Sequence, residues 1–120
     1  MPIIDERPTI IVNHQEGVSR CALAEVLYGI EEEGIPYEVR SVTSTADVRR
    51  LAHSAALESR LGVGVGATPS AVAVTLEKLP EDAPYISATL NLKRALDRAI
   101  GTNAARLVKR MPLRDLRGDE

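Results

Sequence analysis

A chain of 120 residues with 15 Lys and Arg against 17 Asp and Glu has a formal net charge of −2; it is 44% hydrophobic and 27% charged. That balance is ordinary for a globular protein, and its mild acidity argues against a nucleic-acid or anionic-membrane partner. Tyr28, Tyr37 and Tyr85 are the only aromatics, too few for a base-stacking surface, so the core has to come from Val, Ile, Leu and Ala.

The length suits one domain spanning residues 1–120, with loose tails expected at 1–8 and 114–120. Thr9–Val12 is a β-branched run and reads as a buried first strand. Ser19 is placed to cap a helix from about Arg20 to Glu33, whose Ala22, Leu23, Val26, Leu27 and Ile30 share one face. Gly34 supplies a left-handed cap and Pro36 ends the segment. A second strand follows at Tyr37–Val42. A second helix spans Thr45 to about Ser59, with Val48, Leu51, Ala52, Ala55 and Ala56 turned inward.

Leu61–Gly66 is a glycine-rich strand, and Ser70–Thr75 another, close enough across Ala67-Thr68-Pro69 to form a hairpin. Leu79–Pro84 is a turn-rich loop. Leu92, Ala95, Leu96 and Ile100 predict a third helix over Leu90–Ile100. Gly101 interrupts it, and Asn103–Lys109 continues as helix or forms a short strand. The alternation predicts a three-layer α/β/α sandwich. Its mixed, mostly parallel sheet has four to five strands: three parallel where helices intervene, and a fourth antiparallel through the hairpin.

No apolar run approaches the ~18 residues of a membrane span. The first residues lack a signal peptide's basic start and apolar stretch, and Cys21 has no second cysteine to pair with; together these fit the cytoplasm. Gly62–Ala67 can be forced into a dinucleotide fingerprint, but strand rather than helix follows it, so its glycines read as close packing or a bend. His14, His53 and Cys21 show no zinc spacing and read as structural or incidental, with Cys21 as a packed small residue.

Glu31-Glu32-Glu33 breaks a local rule. It puts three carboxylates at a helix C-terminus, where the macrodipole favours cations. One reading is a solvated acidic helix end; the other is that something offsets the charge. At about 100° per residue, Glu33 lies at the edge of the apolar stripe, Glu31 to one side and Glu32 opposite the core. An outward Glu32 faces a partner protein or a metal ion held jointly with one; alone it does not hold Mg2+.

Three segments then make the sequence recognisable: Leu27–Pro36, Leu79–Pro84 and Asn103–Leu113, with support from Ser59–Val65. In order and spacing they closely resemble the small subunit of diol and glycerol dehydratase reactivases, over about residues 9–116. The resemblance is weakest in the N-terminal tail and across Val42–Glu58. It implies a non-enzymatic subunit, similar in fold to the dehydratase medium subunit and to anticodon-binding-like domains. The implied partners are an actin- and heat-shock-type ATPase large subunit and the dehydratase subunits, with no nucleic acid and no membrane.

ATP or ADP belongs to the large subunit in that picture. The complex rescues inactivated adenosylcobalamin-dependent dehydratase by subunit exchange and release of damaged cobalamin. The resemblance further implies that Glu32, by its place in the motif, contributes to a Mg2+ site shared with the large subunit. Glu31, Arg106 and Lys109 would join Glu32 at the partner interface, the last two a helical step of three apart. The address it implies is cytoplasmic, with association with a bacterial microcompartment left open. The alternatives are a medium-subunit-like component of a cobalamin enzyme, which typically carries a long N-terminal extension, a nucleic-acid-binding module, and a small nucleotide-using enzyme.

Overall fold

The computed structural model describes residues 7–43 and 46–110. The elements run β1 (Ile10–Gln15), α1 (Arg20–Glu32), β2 (Tyr37–Val42), α2 (Val48–Glu58), β3 (Val63–Ala67), β4 (Ala71–Leu76), β5 (Ile86–Thr89) and α3 (Arg94–Lys109). They build one five-stranded sheet in the order β2–β1–β3–β4–β5. β1 is parallel to both neighbours, with Ile10 opposite Tyr37 and Ile11 opposite Gly64. β4 and β5 are each antiparallel to the strand before them.

The chain steps from β1 outward to β2, then back past β1 to β3. Two right-handed crossovers in opposite directions put α1 and α2 on opposite faces of the sheet. Side chains alternate along each strand, so the faces draw on different residues. Ile10, Val12, Val63, Val65, Val72 and Val74 pack with Leu23, Val26 and Ile30 of α1 and Ile100 and Ala104 of α3. The opposite face carries Gly64, Gly66 and Ala73, over which lie Val48 and Ala52 of α2. A methyl group at Gly66 would sit 2.6 Å from the Val48 carbonyl, so the glycine-rich strand is a seat for α2.

Local signals set the helix ends. Ser19 Oγ accepts from the Ala22 N–H at 3.1 Å, and Gly34 adopts φ 77° just past α1, with its N–H on the Glu31 carbonyl. Asp47 caps α2 by accepting from the Arg49 and Arg50 amides; the Arg50 amide foremost, then the Arg49 guanidinium, holds its carboxyl below the usual range. At the sheet edge, Arg40 of β2 pairs with Glu38 at 2.7 Å and with Glu58 of α2.

Several expectations need correction. α3 is one continuous helix through Gly101 and begins at Arg94; Leu92, expected on its inner side, is 64% exposed in the preceding loop. Gly101 serves a helix crossing, because a methyl there would overlap the Val26 carbonyl of α1. Ile86–Thr89 forms an edge strand where no strand was placed. Cys21 is exposed, since it sits about 200° around the helix from buried Leu23. Thr45 and most of both predicted tails lie outside the described residues.

Candidate functional site

α1 and α3 pack side by side and run in the same direction. Gly29 and Gly101 allow this: a methyl at Gly29 would lie 2.6 Å from the Thr102 amide and overlap the Arg98 carbonyl. The ion pairs climb the two helices together, Glu25 to Arg98 low down, Glu33 to Arg106 and Lys109 at the top. Both helix C-termini therefore lie at one end, with their partial negative charges added to those of Glu31, Glu32 and Glu33.

Cations from α3 provide the compensation for this charge. Glu33 is only 14% exposed and receives Lys109 Nζ at 2.7 Å and Arg106 Nη2 at 3.3 Å. Lys109 Nζ also donates to the Glu33 backbone carbonyl at 3.1 Å, capping α1 from the neighbouring helix. Lys109 foremost, then Arg106, holds the Glu33 carboxyl below its ordinary value of 4.5 against the opposing effect of desolvation.

Glu32 points outward and is 57% exposed; Arg98 Nη1 meets its Oε2 at 2.8 Å. Arg98 is itself held by Glu25 at 2.8 Å and lies over the Tyr28 ring, 5.4 Å from its centroid. Tyr28, Glu31, Glu32 and Arg98 line an open hollow of about 320 Å3. Glu31 is exposed beside it. Tyr37 has a hydroxyl pKa raised by burial and then by the charge of Glu31.

Residues 7–114 match the protein family described as Dehydratase medium subunit. The chain is 44% identical over 91 residues to the propanediol dehydratase-reactivating factor small subunit of Citrobacter freundii, covering 76% of this chain and 78% of that relative. The chain belongs to the small subunits of the dehydratase-reactivating factors. The diol dehydratase-reactivating factor small subunit of Klebsiella michiganensis is 39% identical over 95 residues, 79% of this chain and 75% of that one. The structure of diol dehydratase-reactivating factor complexed with ADP and Mg2+ superposes with TM-score 0.86 at 35% identity, covering 92% of this chain and 100% of that one. A glycerol dehydratase reactivase structure superposes with TM-score 0.87 at 28% identity, covering 92% and 99%.

In this reactivating-factor subunit, Glu31, Glu32, Arg106 and Lys109 all gather around the paired helix ends. Arg106 and Lys109 share a face, but that face is turned to Glu33 and their charges are engaged there. Sequence reasoning missed Glu25, Tyr28 and Arg98. Glu25, Tyr28 and Glu32 follow at i, i+3 and i+7, the spacing of one helical stripe, and that was the available signal.

Proposed function

We propose that this chain is the non-catalytic small subunit of an ATP-dependent, chaperone-like reactivase. In this reading it frees damaged cobalamin from an inactivated diol or glycerol dehydratase by changing places with a dehydratase subunit. Nucleotide is bound and hydrolysed by an actin- or heat-shock-type large subunit. The observation that carries the reading is the match, over 92% of this chain and 100% of the other, to a reactivating factor complexed with ADP and Mg2+. The match of residues 7–114 to the medium-subunit family supports the exchange, since a subunit built like its counterpart can occupy the same place.

Within this reading Glu31 and Glu32 form the contact with the large subunit, bordered by Arg106 and Lys109 through the part of their side chains that the pairing with Glu33 leaves exposed, and Glu32 offers its carboxylate to a Mg2+ ion shared across it. The donor chemistry fits: an exposed carboxylate is a hard oxygen ligand with room for a partner. No three acidic, His or Cys side chains come together as a metal site among the described residues, so the remaining ligands would come from the partner or water. When bound, the ion would offset the crowding of negative charge at the helix ends.

The test is assembly of the purified chain with its large subunit, followed by size exclusion or calorimetry with and without Mg2+. Glu32→Gln is expected to weaken Mg2+-dependent assembly by about tenfold or more while leaving the isolated chain's melting temperature nearly unchanged. Equal assembly by Glu32→Gln, or ATPase turnover by the small subunit alone, would overturn the reading.

A further inference from the structure

Arg98 lies at the centre of the α1 stripe, with three different partners on it. Its Nε and Nη2 engage Glu25 Oε1 at 2.9 and 2.8 Å, its Nη1 engages Glu32 Oε2 at 2.8 Å, and its guanidinium lies over Tyr28. The two carboxylates are not equivalent. Glu25 is 25% exposed and takes two nitrogens of the fork, whereas Glu32 is 57% exposed and takes one. Two bonds in a drier setting outlast one in a wet setting, so Glu32 is the partner that Arg98 gives up first.

We propose that Arg98 competes with the divalent cation for Glu32, and so sets the cation concentration at which the small subunit joins its large partner. This rests on Glu32 being the carboxylate offered to the shared site. In the free subunit the guanidinium occupies Oε2 and places a positive charge beside the place where a cation would sit. When Glu32 turns to the cation, Glu25 and Tyr28 keep Arg98 seated on the helix pair, so α1 and α3 do not come apart. Arg98 is thus a positioning residue that holds Glu32 until a cation displaces it.

Two substitutions should act in opposite directions. Arg98→Met keeps the stem over Tyr28 and removes the charge, and is expected to lower the Mg2+ midpoint for assembly by roughly three- to tenfold. Glu25→Gln frees Arg98 to sit wholly on Glu32 and removes an attracting charge, and is expected to raise that midpoint. In the double variant the Glu25→Gln effect should shrink, because the competitor is gone.

The experiment is titration of Mg2+ into nucleotide-free mixtures of the small and large subunits, with complex formation read by light scattering. Wild-type assembly that ignores Mg2+ would sink the shared-site reading itself. Mg2+-dependent wild-type assembly, lost in Glu32→Gln but with an unmoved or raised midpoint in Arg98→Met, would overturn only the role of Arg98. Circular dichroism checks the fold. Should Arg98→Met not fold, the direction of the Glu25→Gln shift decides: a raised midpoint supports the competition, an unmoved or lowered one rejects it.

Discussion

The two faces of the sheet are covered in different ways. On one face α2 lies directly on the strands, its backbone brought in over Gly64 and Gly66, with Ala52 and Ala73 between. On the other face a thick aliphatic layer separates α1 and α3 from the sheet, and the helices meet each other at Gly29 and Gly101. Close backbone approach appears twice, once between helix and sheet and once between two helices. Among the described residues the first contact is bordered by one ion pair, Arg40 to Glu58 at the sheet edge, whereas along the second Glu25, Glu32 and Glu33 reach across to Arg98, Arg106 and Lys109. The α2 face is tied mainly by backbone approach, while the α1–α3 face carries most of the charged pairs, and it is there that the candidate site lies.

The harshest way to break this contrast is to add bulk at a crossing. Gly64→Val and Gly101→Val each drive a side chain into backbone atoms of a packed helix, of Ala52 and Ala56 or of Val26. Backbone cannot step aside as a flexible side chain does, so each is expected to cost about 3 kcal/mol or more in urea denaturation. A variant of either that melts like the wild type would show that the helices are not held where they appear.

A smaller effect separates the faces by their polar ties. Asn13, nearly fully buried, donates from Nδ2 to the Leu51 carbonyl at 3.3 Å and is a side-chain hydrogen bond from the sheet to α2. Asn13→Ala is expected to lose about 1 kcal/mol by urea denaturation, with little salt dependence, because neither partner is charged. Salt-sensitive loss at this position would blur the distinction drawn here.

The finest contrast is in pH. Glu33 has a folded-state pKa below its ordinary 4.5, held down by Lys109 and Arg106. A depressed carboxylate stabilises the fold fully above the unfolded value, and that contribution is lost as pH falls through the folded pKa. The melting temperatures of wild type and Glu33→Gln should therefore differ at pH 7 and converge as the solution is acidified below the ordinary carboxylate range. A gap that stays constant with pH would assign Glu33 to packing rather than to its ion pairs.

Much of this architecture could be read from the chain, and the failures share one physical origin. β2 at Tyr37–Val42, the Ser19 cap and the Gly34 turn follow from local chemistry and stand as expected. The outward aim of Glu32 also follows, because a helical wheel needs only the apolar stripe of its own helix. Gly101 was misread because glycine costs a helix about 1 kcal/mol relative to alanine, and only the neighbouring helix reveals why it is there. β5 is a four-residue strand with little periodicity to read, and its place is settled by pairing with β4. The pairing of Glu32 with Arg98 joins residues 66 positions apart. No local pattern announces such a pair before the helix crossing is known.

The edge of the sheet at β2 has a consequence for life between partners. An open edge strand is a template on which a second chain can add, and the proposed exchange exposes this subunit each time it leaves an assembly. Glu38 and Arg40 stand along that edge, tied to each other and to Glu58 on α2, so an incoming strand would have to bring charge to meet charge. At the opposite edge β5 offers only Ile86–Thr89, a short landing. In the proposed exchange, a charged border at β2 and a short one at β5 would disfavour strand addition by a second chain.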